Sequence, residues 1–217
     1  MKVGTDAVLL GAWSDVEQSK TILDIGSGSG IISLMMAQRS NPDTRIDAVE
    51  LLKNDAQQSV ENIVNSPWPD KISVTHSDIR TFTPSTKYDL IVCNPPFFSN
   101  SLLPPVEVRS RVRHDITLTL DDLISNTIRL LSPGGKLCVI LPVNEGEFFI
   151  KKINTKNLFL NRLTRFYSRA GKPQERSLME IGFIHDSLIE DSLILYQSKN
   201  QWTDEYRMLT SEFYLDR

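Results

Sequence analysis

Between residues 21 and 37 the chain runs from Thr21-Ile22-Leu23-Asp24-Ile25 through Gly26-Ser27-Gly28-Ser29-Gly30 into Ile31-Ile32-Ser33-Leu34-Met35-Met36-Ala37. The first stretch has the length and β-branched content of a buried strand, and the last carries helical spacing. Three glycines in five residues let the backbone between them adopt conformations closed to other residues. Strand, glycine turn and helix in this order open an α/β sheet, with backbone approaching a ligand closely at the helix N-terminus. The turn reads G-x-G-x-G, so it lacks the G-x-G-x-x-G spacing of dinucleotide folds, and no Gly-Lys-Ser/Thr follows to make it a phosphate loop. Asp24, Gly26, Ser27, Gly28 and Gly30 are thus candidate ligand-contacting positions.

Three further strands end in residues suited to one ligand. Arg45-Ile46-Asp47-Ala48-Val49-Glu50 closes on an acid about 20 residues past the loop, where a carboxylate can accept from both hydroxyls of a ribose. Lys71-Ile72-Ser73-Val74-Thr75-His76 leads to Asp78 and Ile79. Asp78 can accept from an adenine amine while Leu51 and Ile79 sandwich the ring. Tyr88-Asp89-Leu90-Ile91-Val92-Cys93 runs into Asn94-Pro95-Pro96-Phe97. Consecutive prolines cannot continue a central strand, and they hold the preceding residue extended. The Asn94 amide and the Pro95 carbonyl can then converge on one spot beside Phe97, an arrangement fit for a planar NH2 group, either an exocyclic amine or a primary amide. Each feature alone is also an ordinary strand end; their order at successive strand ends is the signal.

At 217 residues the chain is expected to form one domain, 1–217, with a continuous core. It has no run of about 18 apolar residues and no signal segment, which excludes a helical membrane span and points to the cytoplasm. Cys93 and Cys138 both fall in apolar strands and read as reduced core thiols. Three scattered histidines without Cys/His spacing give no zinc site. The net charge of −3 argues against a nucleic-acid partner until its distribution is considered. Arg109, Arg111, Arg113 and His114 cluster after the tetrad, and between residues 151 and 176 eight Lys/Arg side chains face Glu175 as their only acid. The competing reading is a solvated face. Phe98, these four basic residues, Lys172 and Arg176 are candidate substrate contacts, the loop 99–115 being placed to close over a substrate beside the tetrad.

Residues 120–131 have helical spacing with Thr119 or Asp121 as cap, stopped by Ser132-Pro133-Gly134-Gly135. Lys136-Leu137-Cys138-Val139-Ile140-Leu141 reads as a fifth strand, residues 144–156 as a helix capped by Asn144, and residues 158–167 and 177–185 as a strand pair. The tail beyond residue 193 is expected to add a short strand and a surface helix.

The glycine loop, Glu50, Asp78 and Asn94-Pro95-Pro96-Phe97, in this order, resemble the class I S-adenosylmethionine-dependent methyltransferases that act on amino nitrogens. A closer likeness spans nearly the whole chain. Met1-Lys2-Val3-Gly4-Thr5-Asp6-Ala7-Val8-Leu9-Leu10-Gly11-Ala12-Trp13, Asn94-Pro95-Pro96-Phe97-Phe98, the stretch 109–123, residues 172–180 and the ending 206–215 resemble the bacterial tRNA1(Val) adenine-37 N6-methyltransferase family. Members of that family carry a short segment ahead of the position where this chain begins. The resemblance implies an α/β, Rossmann-like class I methyltransferase fold: a mostly parallel seven-stranded sheet with a C-terminal antiparallel hairpin and helices on both faces. It also implies S-adenosylmethionine as cofactor, tRNA as substrate, no metal, no membrane, and a monomer or weak homodimer. Asn94, Pro95, Pro96 and Phe97 would form the catalytic tetrad. Thr5 and Asp6 would lie near the cofactor's amino-acid end. Protein-glutamine methylation, ribosomal guanine-N2 methylation, a DNA adenine target and a non-catalytic RNA-binding module are the alternatives.

Overall fold

The computed structural model describes residues 4–95, 118–197 and 201–214. Helix α1 (Thr5–Trp13) precedes β1 (Thr21–Ile25), α2 (Ile31–Arg39), β2 (Arg45–Glu50), α3 (Lys53–Val64), β3 (Ile72–His76) and β4 (Tyr88–Cys93). After these come α4 (Leu120–Leu130), β5 (Leu131–Pro142), α5 (Val143–Ile153), β6 (Phe159–Arg169), β7 (Arg176–Gly182), β8 (Ile189–Tyr196) and α6 (Asp204–Thr210). The sheet has the order β3-β2-β1-β4-β5-β7-β6-β8. Only β7 among these strands runs against its neighbours.

Eight strands stand where seven are expected from the sequence. The extra one, β8, pairs parallel to β6 from Ile189, four residues before the tail segment expected to hold a strand. Its first four residues are exposed, so apolar patterning does not mark it. Strand β5 begins at Leu131 rather than Lys136. Ser132-Pro133-Gly134-Gly135 does end α4, but as a bulge inside the strand, where Leu131 pairs Tyr88 and Lys136 already pairs Leu90. Asn144 does not cap α5. Pro142 occupies the N-cap position, and the helix starts at Val143. At α4 the expected cap is Thr119, whose hydroxyl accepts from the Asp122 N–H at 3.0 Å while Asp122 accepts from the Thr119 N–H at 3.0 Å.

The sheet separates two apolar layers. Leu9, Leu10, Trp13, Ile32, Met36 and Ile63 pack on one face, and Leu123, Ile124, Phe149 and Ile153 on the other. Helix α1 is buried from Ala7 to Trp13, as suits a helix apolar on all sides. A Cβ on Gly11 would stand 2.5 Å from the Met35 sulfur, so α1 approaches α2 more closely than a larger residue allows. Arg39 donates to the Gly11 and Ser14 carbonyls, both at 2.7 Å, covering the C-terminal end of α1. Trp13 Nε1 donates to Thr164 Oγ1 at 2.7 Å, and that hydroxyl donates to Asp191, which ties α1 to β6 and β8. All these contacts hold the first turn of α1 at the C-terminal edge of the sheet.

Candidate active site

A cleft of about 780 Å³ runs along that edge, within the usual range for a small-molecule site. Its floor is the glycine turn. Gly26 and Ser27 donate to the Val49 carbonyl at 2.9 and 3.3 Å, and Gly30 donates to the Ser27 carbonyl at 2.8 Å. Gly26, Gly28 and Gly30 have φ of 71°, 55° and 80°, values that side-chain-bearing residues rarely adopt. The turn therefore bends sharply across the end of β2.

Glu50 fixes the turn in place. One carboxylate oxygen accepts from the Gly28 N–H and the other from the Leu52 N–H, each at 2.8 Å. Each oxygen keeps a second lone-pair direction, so the carboxylate can also accept from a pair of ribose hydroxyls. Next along the edge, Asp78 accepts from the Arg80 backbone N–H at 2.9 Å and from its guanidinium at 2.6 Å. The Arg80 side chain holds the Asp78 carboxyl below its usual range. A charged acceptor thus faces the cleft beside the apolar walls Leu51 and Ile79.

Of the expected cofactor contacts, Thr5, Gly26, Gly28, Glu50, Leu51, Asp78, Ile79 and Asn94 line the cleft. Asp24, Ser27 and Gly30 stand behind its wall. Asp24 shares the α2 side of β1 with Ile22 and is fully buried, and its Oδ2 accepts from the Ser33 N–H at 3.1 Å and hydroxyl at 2.6 Å. Burial pushes its carboxyl up to about 6, against the opposing Ser33 bonds. Asp24 Oδ1 and Ser27 Oγ are buried beside the turn with no hydrogen-bond partner among the described residues. A ligand seated on the turn would bring polar groups to this neighbourhood.

Asn94 and Pro95 line the cleft directly after β4. Pro96, Phe97, Phe98, Arg109, Arg111, Arg113 and His114 lie outside the described residues. Lys172 sits exposed in the turn between β6 and β7, away from the cleft wall. Arg176, expected from its charge to meet substrate, lines the cleft, with its Nε donating to Asp6 at 2.9 Å. Burial drives the Cys93 thiol far above its usual range, which removes it as a nucleophile, and lifts Cys138 to about 12. Among the described residues no cluster of three His, Cys, Asp or Glu could hold a metal, and no helix is long and apolar enough to cross a membrane.

Sequence reasoning missed Arg80, Leu118, Phe166, Glu175 and Leu195 on the cleft wall. Arg80 had a local signal, two residues past an acid in a strand-end turn. The others reach the cleft from distant elements and had none.

The described geometry is matched by known proteins. The family model "Methyltransferase small domain" matches residues 3–154. The tRNA1(Val) (adenine(37)-N6)-methyltransferase of Phocaeicola vulgatus is 43% identical over 216 residues, covering 100% of this chain and 92% of the relative. The protein of the same name from Tolumonas auensis is 41% identical, covering 99% and 90%. Among solved structures, a predicted O-methyltransferase from Agrobacterium tumefaciens superposes with a TM-score of 0.72 at 18% identity, covering 95% of this chain and 96% of that one. A glycopeptide N-methyltransferase complexed with S-adenosyl-L-methionine reaches a TM-score of 0.59 at 13% identity, covering 84% and 100%. These two show a shared fold.

Proposed function

We propose, from the premise that this chain belongs to the tRNA1(Val) (adenine(37)-N6)-methyltransferase family, that it methylates the exocyclic N6 of an adenine in tRNA. Adenine-37 of tRNA1(Val) is the specific target that the relatives' names support. The cofactor is S-adenosylmethionine, which supplies an electrophilic methyl on a sulfonium. The observation that carries the reading is the joint placement of Glu50, the glycine turn, Asn94 and Pro95 on one cleft, in a chain similar to those relatives from end to end.

Each group has a distinct task. Glu50 and the turn bind the ribose, while Leu51, Asp78 and Ile79 enclose the cofactor's base. The Asn94 amide oxygen and the Pro95 carbonyl accept the two N6 hydrogens of the target adenine. Holding both hydrogens favours a pyramidal nitrogen, with its lone pair turned out of the ring and toward the methyl. Orientation of this kind accounts for much of the rate, since the two reactants meet at a fixed distance and angle. When bound, the sulfonium would supply its methyl to the nitrogen lone pair held there, the S–C electrons leaving with sulfur. The methylated nitrogen is then acidic and loses a proton to solvent without a strong base. Phe97 follows Asn94 in the sequence as the aromatic partner for the base, which must be unstacked to be reached. The place of action is the cytoplasm, where the RNA is.

The test is transfer of labelled methyl from S-adenosylmethionine to unmodified total tRNA, ribosomal RNA and a protein extract, followed by digestion to nucleosides or amino acids. N6-methyladenosine from the tRNA fraction alone supports the reading. Label in guanosine or in glutamine overturns the substrate while keeping the chemistry.

A further inference from the structure

Arg129 lies in the last turn of α4 and has no part in the proposed mechanism. Its guanidinium leaves its own helix end and reaches the segment between β3 and β4. Nη2 donates to the Ile79 carbonyl at 2.8 Å, and Nη1 donates to the Phe82 carbonyl at 2.6 Å. Nη2 also donates to Asn126 Oδ1 at 2.6 Å. Asn126 is buried, and its NH2 donates to the Asp122 carbonyl at 2.8 Å, which turns Oδ1 toward Arg129. All three acceptors are neutral oxygens.

Residues 78–82 form the turn that presents Asp78 and Ile79 to the cleft. Inside it, the Thr81 and Phe82 N–H groups both donate to the Asp78 carbonyl at 3.0 Å, and the Arg80 N–H donates to the Asp78 carboxylate at 2.9 Å. These donors are satisfied within the turn. The Ile79 and Phe82 carbonyls take their donor from another element, and Arg129 supplies it to both. A planar guanidinium carries donors on two arms in a fixed fork, so one side chain can span both carbonyls; a lysine ammonium is a single point on a flexible stem. Through this fork, Ile79 and its neighbour Asp78 are tied to a helix whose start is itself fixed by the Thr119–Asp122 capping box.

We propose that Arg129 is a positioning residue for the cofactor's base: its grip on the Ile79 and Phe82 carbonyls sets Asp78 and Ile79 at the spacing that accepts an adenine amine and rejects a 6-oxo purine. This rests on the cofactor reading above and needs no assumption about the RNA. Arg129 itself is absent from the cleft lining, so its effect passes through the turn. A carboxylate accepts from an N6 amine and repels a carbonyl in the same place, and that distinction holds only while the base is pressed against Asp78. A turn free to shift by about an ångström would let the base back away from the carboxylate and blur the choice.

Calorimetric titration of the full chain with S-adenosylhomocysteine and with S-inosylhomocysteine, its deaminated analogue, tests the proposal without any RNA. The unaltered chain should prefer the adenosyl compound by about a hundredfold or more, since a site built for a hydrogen bond strongly rejects a ligand that cannot make it. Arg129→Met should weaken S-adenosylhomocysteine about 5- to 20-fold and leave the inosyl compound within about twofold, so the preference narrows by nearly the same factor. Arg129→Lys should restore part of the preference, and it decides the matter if Arg129→Met does not fold. Thermal midpoints without ligand identify a folding defect, which would lower affinity for both compounds together. Equal weakening of both, or an unchanged preference in a folded Arg129→Met, overturns the proposal. If the unaltered chain binds both compounds equally, Asp78 does not read the amine and the proposal falls with it. Binding of neither compound overturns the cofactor reading itself.

Discussion

Replacing Asp24 by Asn should stabilise the cofactor-free protein at neutral pH and lose that advantage in acid. Asp24 is fully buried; Ser33 satisfies one of its oxygens, and among the described residues nothing satisfies the other. Burial lifts its carboxyl from 3.8 to about 6, with the nearby Glu50 charge adding to the same direction. An acid whose pKa is raised by folding binds its proton more tightly in the folded chain than in the unfolded one. Its contribution is therefore fully present below about pH 4, falls between about pH 4 and pH 6, and stays lost above. That displacement corresponds to about 3 kcal/mol at pH 8. Asn retains an oxygen for Ser33 but turns charge-assisted bonds into neutral ones, which returns about 1 kcal/mol of that gain. The expected net is a variant more stable by about 1–2 kcal/mol at pH 8, with no advantage at pH 4. Urea unfolding of both proteins at the two pH values measures it. A variant destabilised equally at both would refute the reasoning, because it would mean that the buried carboxylate is neutralised by something other than its own proton.

Three further outcomes follow from the same site and its supports. Asn94→Ala should cut methyl transfer at least about a hundredfold while leaving S-adenosylhomocysteine affinity nearly intact; a parallel loss of affinity in calorimetry would assign Asn94 to cofactor binding. Glu50→Gln should weaken the cofactor about 10- to 100-fold and also lower the thermal midpoint without cofactor, since an amide NH2 would then face either the Gly28 or the Leu52 N–H. Loss of affinity with an unchanged midpoint would show that the carboxylate does not hold the turn. Thr119→Ala removes one half of the α4 capping box and should cost about 1 kcal/mol in urea unfolding without altering cofactor affinity.

The glycine turn, the four strand ends around it and the Asn94-Pro95 exit were legible because their constraints are local. Glycines at φ of 55–80° declare themselves wherever the chain must turn that way, and prolines end a central strand whatever surrounds them. The same logic found the Thr119 cap and the hairpin of β6 and β7. It placed the start of β8 four residues late, because the exposed opening residues carry no apolar alternation, and it missed the bulge in β5, which only the partner strand reveals. Helix α1 was not read from the sequence; only the likeness of its residues to a family segment was. Its residues are apolar on every side, so they show no periodicity, and its burial depends on α2 and the sheet closing around it.

Sequence alone determined the α/β architecture, the glycine turn and the strand-end residues that line the cleft. In those cases a side chain or a backbone angle acts within a few positions of itself. Tertiary structure decided the rest. Asp6 and Arg176 are 170 residues apart and become an ion pair only because β7 runs antiparallel, which brings its first residue to the edge where α1 begins. Asp24 and Glu50 are both strand-end acids in the sequence. One faces into the packing beneath α2 and the other lines the cleft, so burial raises the carboxyl of the first while Glu50 remains placed to accept from a ligand. Charge and spacing are properties of the chain, but desolvation and long-range pairing exist only once the sheet has assembled.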